Sequence, residues 1–237
     1  ALKTIAPLTR KICAIAVETR TYVDRKWAER VVVTGYPTRR ELQVLERGES
    51  LRQLGLDPGL GTVLVTGGSR GARSINRAVF AALPDWLTDF QVLHLTGQLD
   101  IAEAEGVAQG LAPEQRARYV VKPYLHEMGL ALSAADLVVS RAGASAIGEY
   151  PLFGLPAVLV PYPYAWRYQK VNADHLTTRG AAVRLDDGAL GERLAGVVRD
   201  MLADPARLAA MRAAARAIAT PDAAERIAGV LRDVARD

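Results

Sequence analysis

Glu149 stands four residues after Ser145 within the run Asp136 to Asn172, DLVVSRAGASAIGEYPLFGLPAVLVPYPYAWRYQKVN. On a helix that spacing puts both side chains on one face. The residues just before it, Arg141, Ala142, Gly143, Ala144 and Ser145, are mostly small, so another molecule can approach the backbone closely where a helix should begin. The first amides of a helix lack internal partners and sit at the positive end of its dipole. A phosphate placed there gains hydrogen bonds and field together. One turn further along, an ionised carboxylate only accepts hydrogen bonds, which suits Glu149 to the paired hydroxyls of a ribose. A nucleotide satisfies both features.

The same run holds a second constellation. Gln169 and Asn172 lie three residues apart on an expected helix and face the same way. Neutral amides both donate and accept, as sugar hydroxyls require, and the Pro161, Tyr162, Pro163, Tyr164 loop before them offers a sugar ring an apolar surface. The plainer alternative is a strand-loop-helix repeat in which Glu149 is a solvated helix residue and the two amides are surface groups.

The elements that would position these residues alternate regularly. Thr62 to Thr66 predicts a strand, followed by the turn Gly67, Gly68, Ser69, Arg70, Gly71 and a helix with Ile75, Val79 and Ala82 on one face. Such a turn cradles a phosphate or simply bends; it lacks the spacing of a dinucleotide fingerprint or a Walker loop. Strands are expected at Phe90 to Leu95, Arg118 to Val121, Leu137 to Ser140, Ala157 to Val160 and Ala181 to Leu185. Helices are expected between them and over 188–203, 205–219 and 222–235, with Asp204 and Pro205 as an N-cap and first-turn proline. This pattern predicts an α/β fold, a Rossmann-like parallel sheet with helices on both faces and a helical carboxyl-terminal tail. Ligands gather at the carboxyl ends of such strands, so the loops holding Ser69, Leu125 and Gly143 should converge on one crevice. Upstream, Ile5 to Val17 reads as a helix, and Val31 to Thr34 as a short strand before a turn that presents Arg39. The expected organisation is 1–30 as a remnant of a preceding domain or a linker, 31–220 as the nucleotide-sugar-binding domain and 221–237 as a terminal helix.

Composition bounds the rest. The 237 residues are 50% hydrophobic and 24% charged, enough for one sizeable core. No apolar stretch approaches the ~20 residues that cross a bilayer, and no signal peptide is expected. One cysteine excludes an internal disulfide framework, and three scattered histidines show no metal-ligand spacing. The net charge of +4 favours anionic partners, but its basic residues are dispersed among acids, which argues against nucleic acid.

The combination GGSRGARSIN (Gly67 to Asn76), ADLVVSRAGASAIGE (Ala135 to Glu149), GLPAVLVPYP (Gly154 to Pro163) and QKVNA (Gln169 to Ala173) resembles the carboxyl-terminal half of the MurG family. These are bacterial transferases that move N-acetylglucosamine from UDP-N-acetylglucosamine onto the lipid-linked muramyl-pentapeptide, lipid I, giving lipid II. The resemblance runs from about Val31 to the end of the chain. It implies one half of a GT-B glycosyltransferase, the half that holds the nucleotide sugar.

Carried over position by position, the resemblance implies that Arg39 and Ser69, with Gly68 beside it, contact the donor, Ser69 near the diphosphate. Leu125 takes the place whose backbone reads the uracil edge, with Met128 nearby. Ala144, Ser145, Ala146, Ile147 and Gly148, after Gly143, form the diphosphate site, with Glu149 on the ribose. Arg141 or Arg39 would assist the helix amides in stabilising the leaving UDP, without a metal or cofactor. Gln169 is implied on the N-acetylglucosamine hydroxyls, near Asn172. Tyr168 stands where family members commonly have His or Gln, and Pro151 falls inside the helix that bears Glu149, where it should remove a hydrogen bond and kink the helix. The half carrying the acceptor loops, the catalytic base and the membrane-facing patch lies outside the match, so the catalytic residue is unassigned here. The implied partners are UDP-N-acetylglucosamine, the lipid-linked acceptor through that other half, and the cytoplasmic face of the inner membrane. Three other readings remain: a GT-B transferase with another lipid or glycan acceptor, a donor-binding subunit of a split transferase, and a nicotinamide-dependent Rossmann enzyme. The absence of a full glycine fingerprint argues against the last.

Overall fold

Successive residues of Gly61–Thr66 point to opposite faces, and both sets are buried: Val63 and Val65 enter one core cluster and Leu64 the other. A strand buried on both faces belongs inside a parallel sheet. The computed structural model, which describes residues 2–164 and 168–236, puts it there. Along the chain the elements are α1 (Leu2–Ile5), β1 (Ile12–Ala14), β2 (Val31–Val33), α2 (Arg47–Leu54), β3 (Gly61–Thr66), α3 (Arg73–Trp86), β4 (Phe90–Leu95), α4 (Ile101–Gly110), α5 (Pro113–Arg116) and β5 (Tyr119–Lys122). Then follow α6 (Met128–Ala134), β6 (Leu137–Ser140), α7 (Ala146–Phe153), β7 (Ala157–Leu159), α8 (Tyr168–Thr177), β8 (Ala182–Arg184), α9 (Leu190–Leu202), α10 (Pro205–Ala217) and α11 (Ala223–Arg236).

The chain packs as two compact units, one from Arg40 to Ile218 and one formed by the residues up to Arg39 with those from Ala219 onward. In the larger unit six parallel strands lie in the order β5-β4-β3-β6-β7-β8. The chain starts in the middle, winds outward through β4 and β5, returns to β6 beside β3, and winds out the other way. This is the doubly wound arrangement, and its direction reverses between β3 and β6. One face is covered by Leu51 and Leu54 of α2, Leu130 and Leu132 of α6, Tyr150 of α7 and Leu176 of α8. The other is covered by Ile75, Val79, Leu83 and Trp86 of α3 and Leu194, Val198 and Met201 of α9. Each such fully buried side chain stabilises the fold by about 1.5–3 kcal/mol relative to exposure, so the sheet is a rigid platform for its loops.

Local signals explain several boundaries. The Asp204 carboxylate accepts from the Arg207 amide with Pro205 at the first helical position, so α10 starts where the sequence marks it. α7 continues through Pro151 to Phe153, where Gly154 turns left-handed (φ 58°) and Leu155 donates to the Tyr150 carbonyl.

The smaller unit differs from one sequence expectation. Ile5 to Val17 is not a helix: α1 ends at Ile5, a short 3-10 turn carries Pro7, and Ile12–Ala14 forms β1, paired in parallel with β2. Pro7 removes the amide a continuing helix would need, and the apolar run after it finds its hydrogen bonds on Val31–Val33 instead. Ala6, Ala14, Val23 and Val31 make this unit's own core. Arg39 belongs to this unit.

Candidate functional site

Thr66, the last residue of β3, is the register partner of Ser140, the last residue of β6. The glycine turn and the loop that opens α7 therefore leave the sheet side by side, at the point where the strand order reverses. Both are accessible there: Gly68, Ser69, Ala144 and Ser145 are exposed and Gly143 is half-buried. The first bond of α7 runs from the Ala146 amide to the Gly143 carbonyl at 3.2 Å, so the amides just ahead of it lie outside the helix's internal bonds and at its positive end. Ala146, Ile147 and Gly148 are buried behind them, and Glu149 lies half-buried one turn on, with Ser145 accepting from its amide at 2.8 Å.

Close backbone packing builds the adjoining ledge. A Cβ on Gly71 (φ 73°) would lie 2.1 Å from the Thr96 carbonyl oxygen, so the turn after β3 rests directly on the segment after β4. The Gly97 amide in turn donates to Pro123 at 3.0 Å, which joins that segment to the one after β5. Leu125 and Met128 follow there, half-buried against the α2, α6 and α7 side of the core. Three loops far apart in sequence thus share the carboxyl edge of one sheet.

Arg141 bridges the other side. Its side chain is only 12% exposed; Nη1 meets Asp187 Oδ1 at 2.5 Å and the Val160 carbonyl at 3.3 Å, and Nη2 donates to Ser74 Oγ at 2.7 Å. Ser74 itself donates to Asp187 Oδ1 at 2.7 Å, and the guanidinium lies 5.2 Å from the centre of the Tyr162 ring. The start of α3, the end of β6 and the segment after β8 are joined by one charge-assisted knot, which positions the loops that leave the sheet there. The Tyr150 hydroxyl adds a buried bond to Ser140 Oγ at 2.8 Å, and burial pushes that phenol well above its ordinary range, so it remains a neutral donor.

The α8 amides have oriented partners. Gln169 Oε1 accepts from the Tyr162 amide at 2.8 Å, which fixes its oxygen and leaves the NH2 end as the group suited to donate to a ligand. Asn172 Nδ2 donates to the Ala142 carbonyl at 3.0 Å and so ties α8 to the loop that opens α7. Tyr168, at the start of α8, is exposed. Ala165, Trp166 and Arg167, inside the run that carries the motif, lie outside the described residues.

One constellation escaped sequence reasoning. His94 is fully buried in β4, with Nδ1 2.9 Å from the Tyr119 hydroxyl and Nε2 3.0 Å from Asn76 Oδ1. Asn76 Nδ2 donates to both the Thr96 carbonyl (2.9 Å) and Asp100 Oδ2 (2.8 Å), so its oxygen faces the ring as acceptor. Nε2 therefore carries the proton and Nδ1 accepts from Tyr119. Burial pushes the imidazole down to about 3, so the ring is neutral, and it holds the segment after β4 on which the glycine turn rests. The available signal was Asn76 itself, a polar residue at helical spacing from Ala72 and Val79 on the apolar stripe of α3.

Comparison with known proteins places this geometry in context. The glycosyltransferase family 28 C-terminal domain matches residues 62–227. A Roseiflexus sp. (strain RS-1) protein is 43% identical over 223 residues, covering 85% of this chain and 50% of the relative. Its name is UDP-N-acetylglucosamine--N-acetylmuramyl-(pentapeptide) pyrophosphoryl-undecaprenol N-acetylglucosamine transferase. A Bacillus licheniformis protein of the same name is 42% identical over 212 residues, covering 87% of this chain and 57% of its own length. The chain thus spans about half the length of the curated relatives it matches. Among solved structures, Acinetobacter baumannii MurG superposes with a TM-score of 0.70 at 21% identity, covering 98% of this chain and 76% of that one. That likeness is one of fold, half of a GT-B glycosyltransferase.

Proposed function

The chain belongs to the glycosyltransferase family 28 C-terminal domain family, and on that footing we propose that it is the donor-binding half of an inverting transferase. The donor is UDP-N-acetylglucosamine and the acceptor the lipid-linked muramyl-pentapeptide, the reaction that turns lipid I into lipid II in peptidoglycan synthesis. The observation that carries the reading is the pairing of Thr66 with Ser140, which sets a glycine turn and an open helix start side by side where the sheet reverses direction.

In this reading the diphosphate lies over the amides that open α7, against Ser69 on the neighbouring turn. Glu149 accepts from the ribose hydroxyls. The uracil rests on the ledge by Leu125 and Met128, and the sugar reaches toward Gln169. An acceptor hydroxyl attacks the anomeric carbon from the face opposite UDP. The new C–O bond forms as the bond to the diphosphate oxygen breaks, and the electron pair leaves on UDP. The acceptor proton passes to a base outside this unit. Charge on the departing diphosphate grows in the transition state, and the α7 amides, fixed before reaction, stabilise it; one well-placed donor of this kind contributes roughly 3 kcal/mol. Arg141 contributes through the loops it holds.

A lipid-linked acceptor requires the enzyme to work at a bilayer surface. Among the described residues no helix is long and apolar enough to cross a membrane, which suits peripheral attachment at the cytoplasmic face of the inner membrane. A thermal-shift series with UDP, UDP-N-acetylglucosamine, UDP-glucose, TDP-sugars and NAD tests the donor assignment, because a ligand stabilises the folded state according to its affinity. Stabilisation by the uridine ligands alone supports it; stabilisation by NAD or TDP-sugars in preference to them overturns it.

A further inference from the structure

Asp136 stands just ahead of β6, at the amino-terminal edge of the sheet, with its side chain only 17% exposed. Oδ2 accepts from the Thr62 amide at 2.9 Å and from Arg47 Nη2 at 2.7 Å, and Oδ1 accepts from Arg212 Nη2 at 2.6 Å. One carboxylate thus holds two guanidiniums, one from α2 and one from α10, and the three groups together keep one positive charge. Both arginines use Nη2 for these bonds; Nη1 of neither donates a hydrogen bond among the described residues. Both side chains also stay in contact with water, at 39% and 35% exposure.

These three side chains line a cleft of about 550 Å³, a size that takes a small molecule. Leu60, Phe90, Leu202 and Leu208 give it an apolar wall. Arg199 lines it too, but is matched by Asp85 at 2.5 Å and Asp89 at 3.6 Å, so the excess positive charge belongs to the group around Asp136. Arg47 Nε and Arg199 Nε are buried without a partner among the described residues. An unmet donor costs free energy, which an acceptor bound in the cleft would recover once these partly exposed side chains turn toward it. The cleft is remote from the donor crevice: Gly61 and Phe90 begin β3 and β4, whereas the donor loops follow the opposite ends of the strands, and the length of β3 puts roughly 16 Å between the two edges. Excess positive charge beside apolar surface suits an anion carried on an apolar body. A phosphate or carboxylate takes paired N–H donors from a guanidinium, and the body covers the leucines and the phenylalanine. A bare anion gains much less there, because exposed charge pairs alone contribute little in water.

We propose that this cleft is a second ligand site, one that binds a small organic anion in which a single phosphate or carboxylate is joined to a compact apolar group. It goes beyond the donor reading and does not rest on it, since none of the residues assigned to the nucleotide sugar lines this cleft.

The test is a heteronuclear NMR titration of the labelled chain with phenyl phosphate, benzoate, phenol and inorganic phosphate, each with and without saturating UDP. Phenyl phosphate or benzoate should move the Gly59 and Gly61 amides saturably, the tighter of the two telling phosphate from carboxylate. Phenol, which lacks the charge, and inorganic phosphate, which lacks the apolar body, should bind at least about fivefold more weakly than the tighter of these. Arg47→Gln and Arg212→Gln each remove one cation from a different helix, so lost packing in one helix does not imitate lost charge. Each should weaken binding of the tighter probe by at least about fivefold while leaving UDP affinity within about twofold, as expected for a distant site. Gly59 and Gly61 amides that stay still, that respond as readily to phenol or inorganic phosphate, or that titrate in both variants as in the parent, overturn the proposal. The donor reading is scored separately in the same spectra, because UDP should move the amides of Ser69 and Gly143 whether or not the cleft binds an anion.

Discussion

Arg141 and Asp187 close an ion pair across the carboxyl ends of β6 and β8, with Ser74 of α3 bonded to both partners. The guanidinium is largely buried, so removing the carboxylate strands a positive charge in poor contact with water. Asp187→Asn should lower unfolding free energy by roughly 2 kcal/mol, less than for a fully buried pair because Asp187 keeps some solvent contact. With Arg141→Met, a double-mutant cycle from urea melts should give a coupling of at least about 1 kcal/mol. Additive effects of the two substitutions would show that the pair holds nothing together.

Gly71 and Gly143 both stand near the site, but for opposite reasons. Gly71 has a left-handed backbone and no room for a Cβ, which would strike the Thr96 carbonyl; Gly143 faces open space. Gly71→Ala should therefore cost about 1–3 kcal/mol of stability. Gly143→Ala should leave stability within about 0.5 kcal/mol and weaken UDP binding, because its methyl group projects into the space assigned to the diphosphate. Melting temperatures and UDP titrations on the two variants give the comparison. A Gly143→Ala protein that binds UDP as tightly as the parent contradicts the assignment of that space.

His94 makes stability depend on pH in a definite direction. The unfolded chain takes up a proton near the ordinary imidazole value of 6.5, and the folded chain only near 3. The stability from keeping the ring neutral is complete above 6.5 and is lost as pH falls from there toward 3, by about 1.4 kcal/mol per pH unit well inside that window. Asp100, the charged group acting on the ring, moderates the shift without reversing it. His94→Gln should flatten the stability profile between pH 4 and 6 in denaturant melts, since an amide does not titrate there. Parallel profiles for the two proteins would show that another group carries the acid sensitivity.

The parallel sheet was legible in the sequence because its strands are short apolar runs between turn residues, and each motif loop follows one of them. Strand order was not legible, since nothing local in Leu137–Ser140 says that it lies beside Gly61–Thr66. Within the candidate site, the exposed loop that opens α7 could be read from small residues before Glu149, a local pattern. The partners of Arg141 could not, because Ser74 is 67 residues away and Asp187 46, and only the fold brings them together. The helix expected over Ile5 to Val17 failed for a related reason: the apolar run around Cys13 is satisfied by a strand 19 residues further on. The buried His94 network was hidden because polar residues in a strand read as surface groups until their partners are seen.

Binding of UDP through Glu149 is the claim on which the rest depends, and calorimetric titration of the chain measures it directly. UDP and 2′-deoxy-UDP should be compared on the parent protein and on Glu149→Ala. The account predicts that the substitution weakens UDP binding by about 10-fold to 100-fold, the range for hydrogen bonds to a charged acceptor, and that loss of the 2′-hydroxyl matters only while Glu149 is present. Equal affinity of the parent and Glu149→Ala for UDP would contradict it.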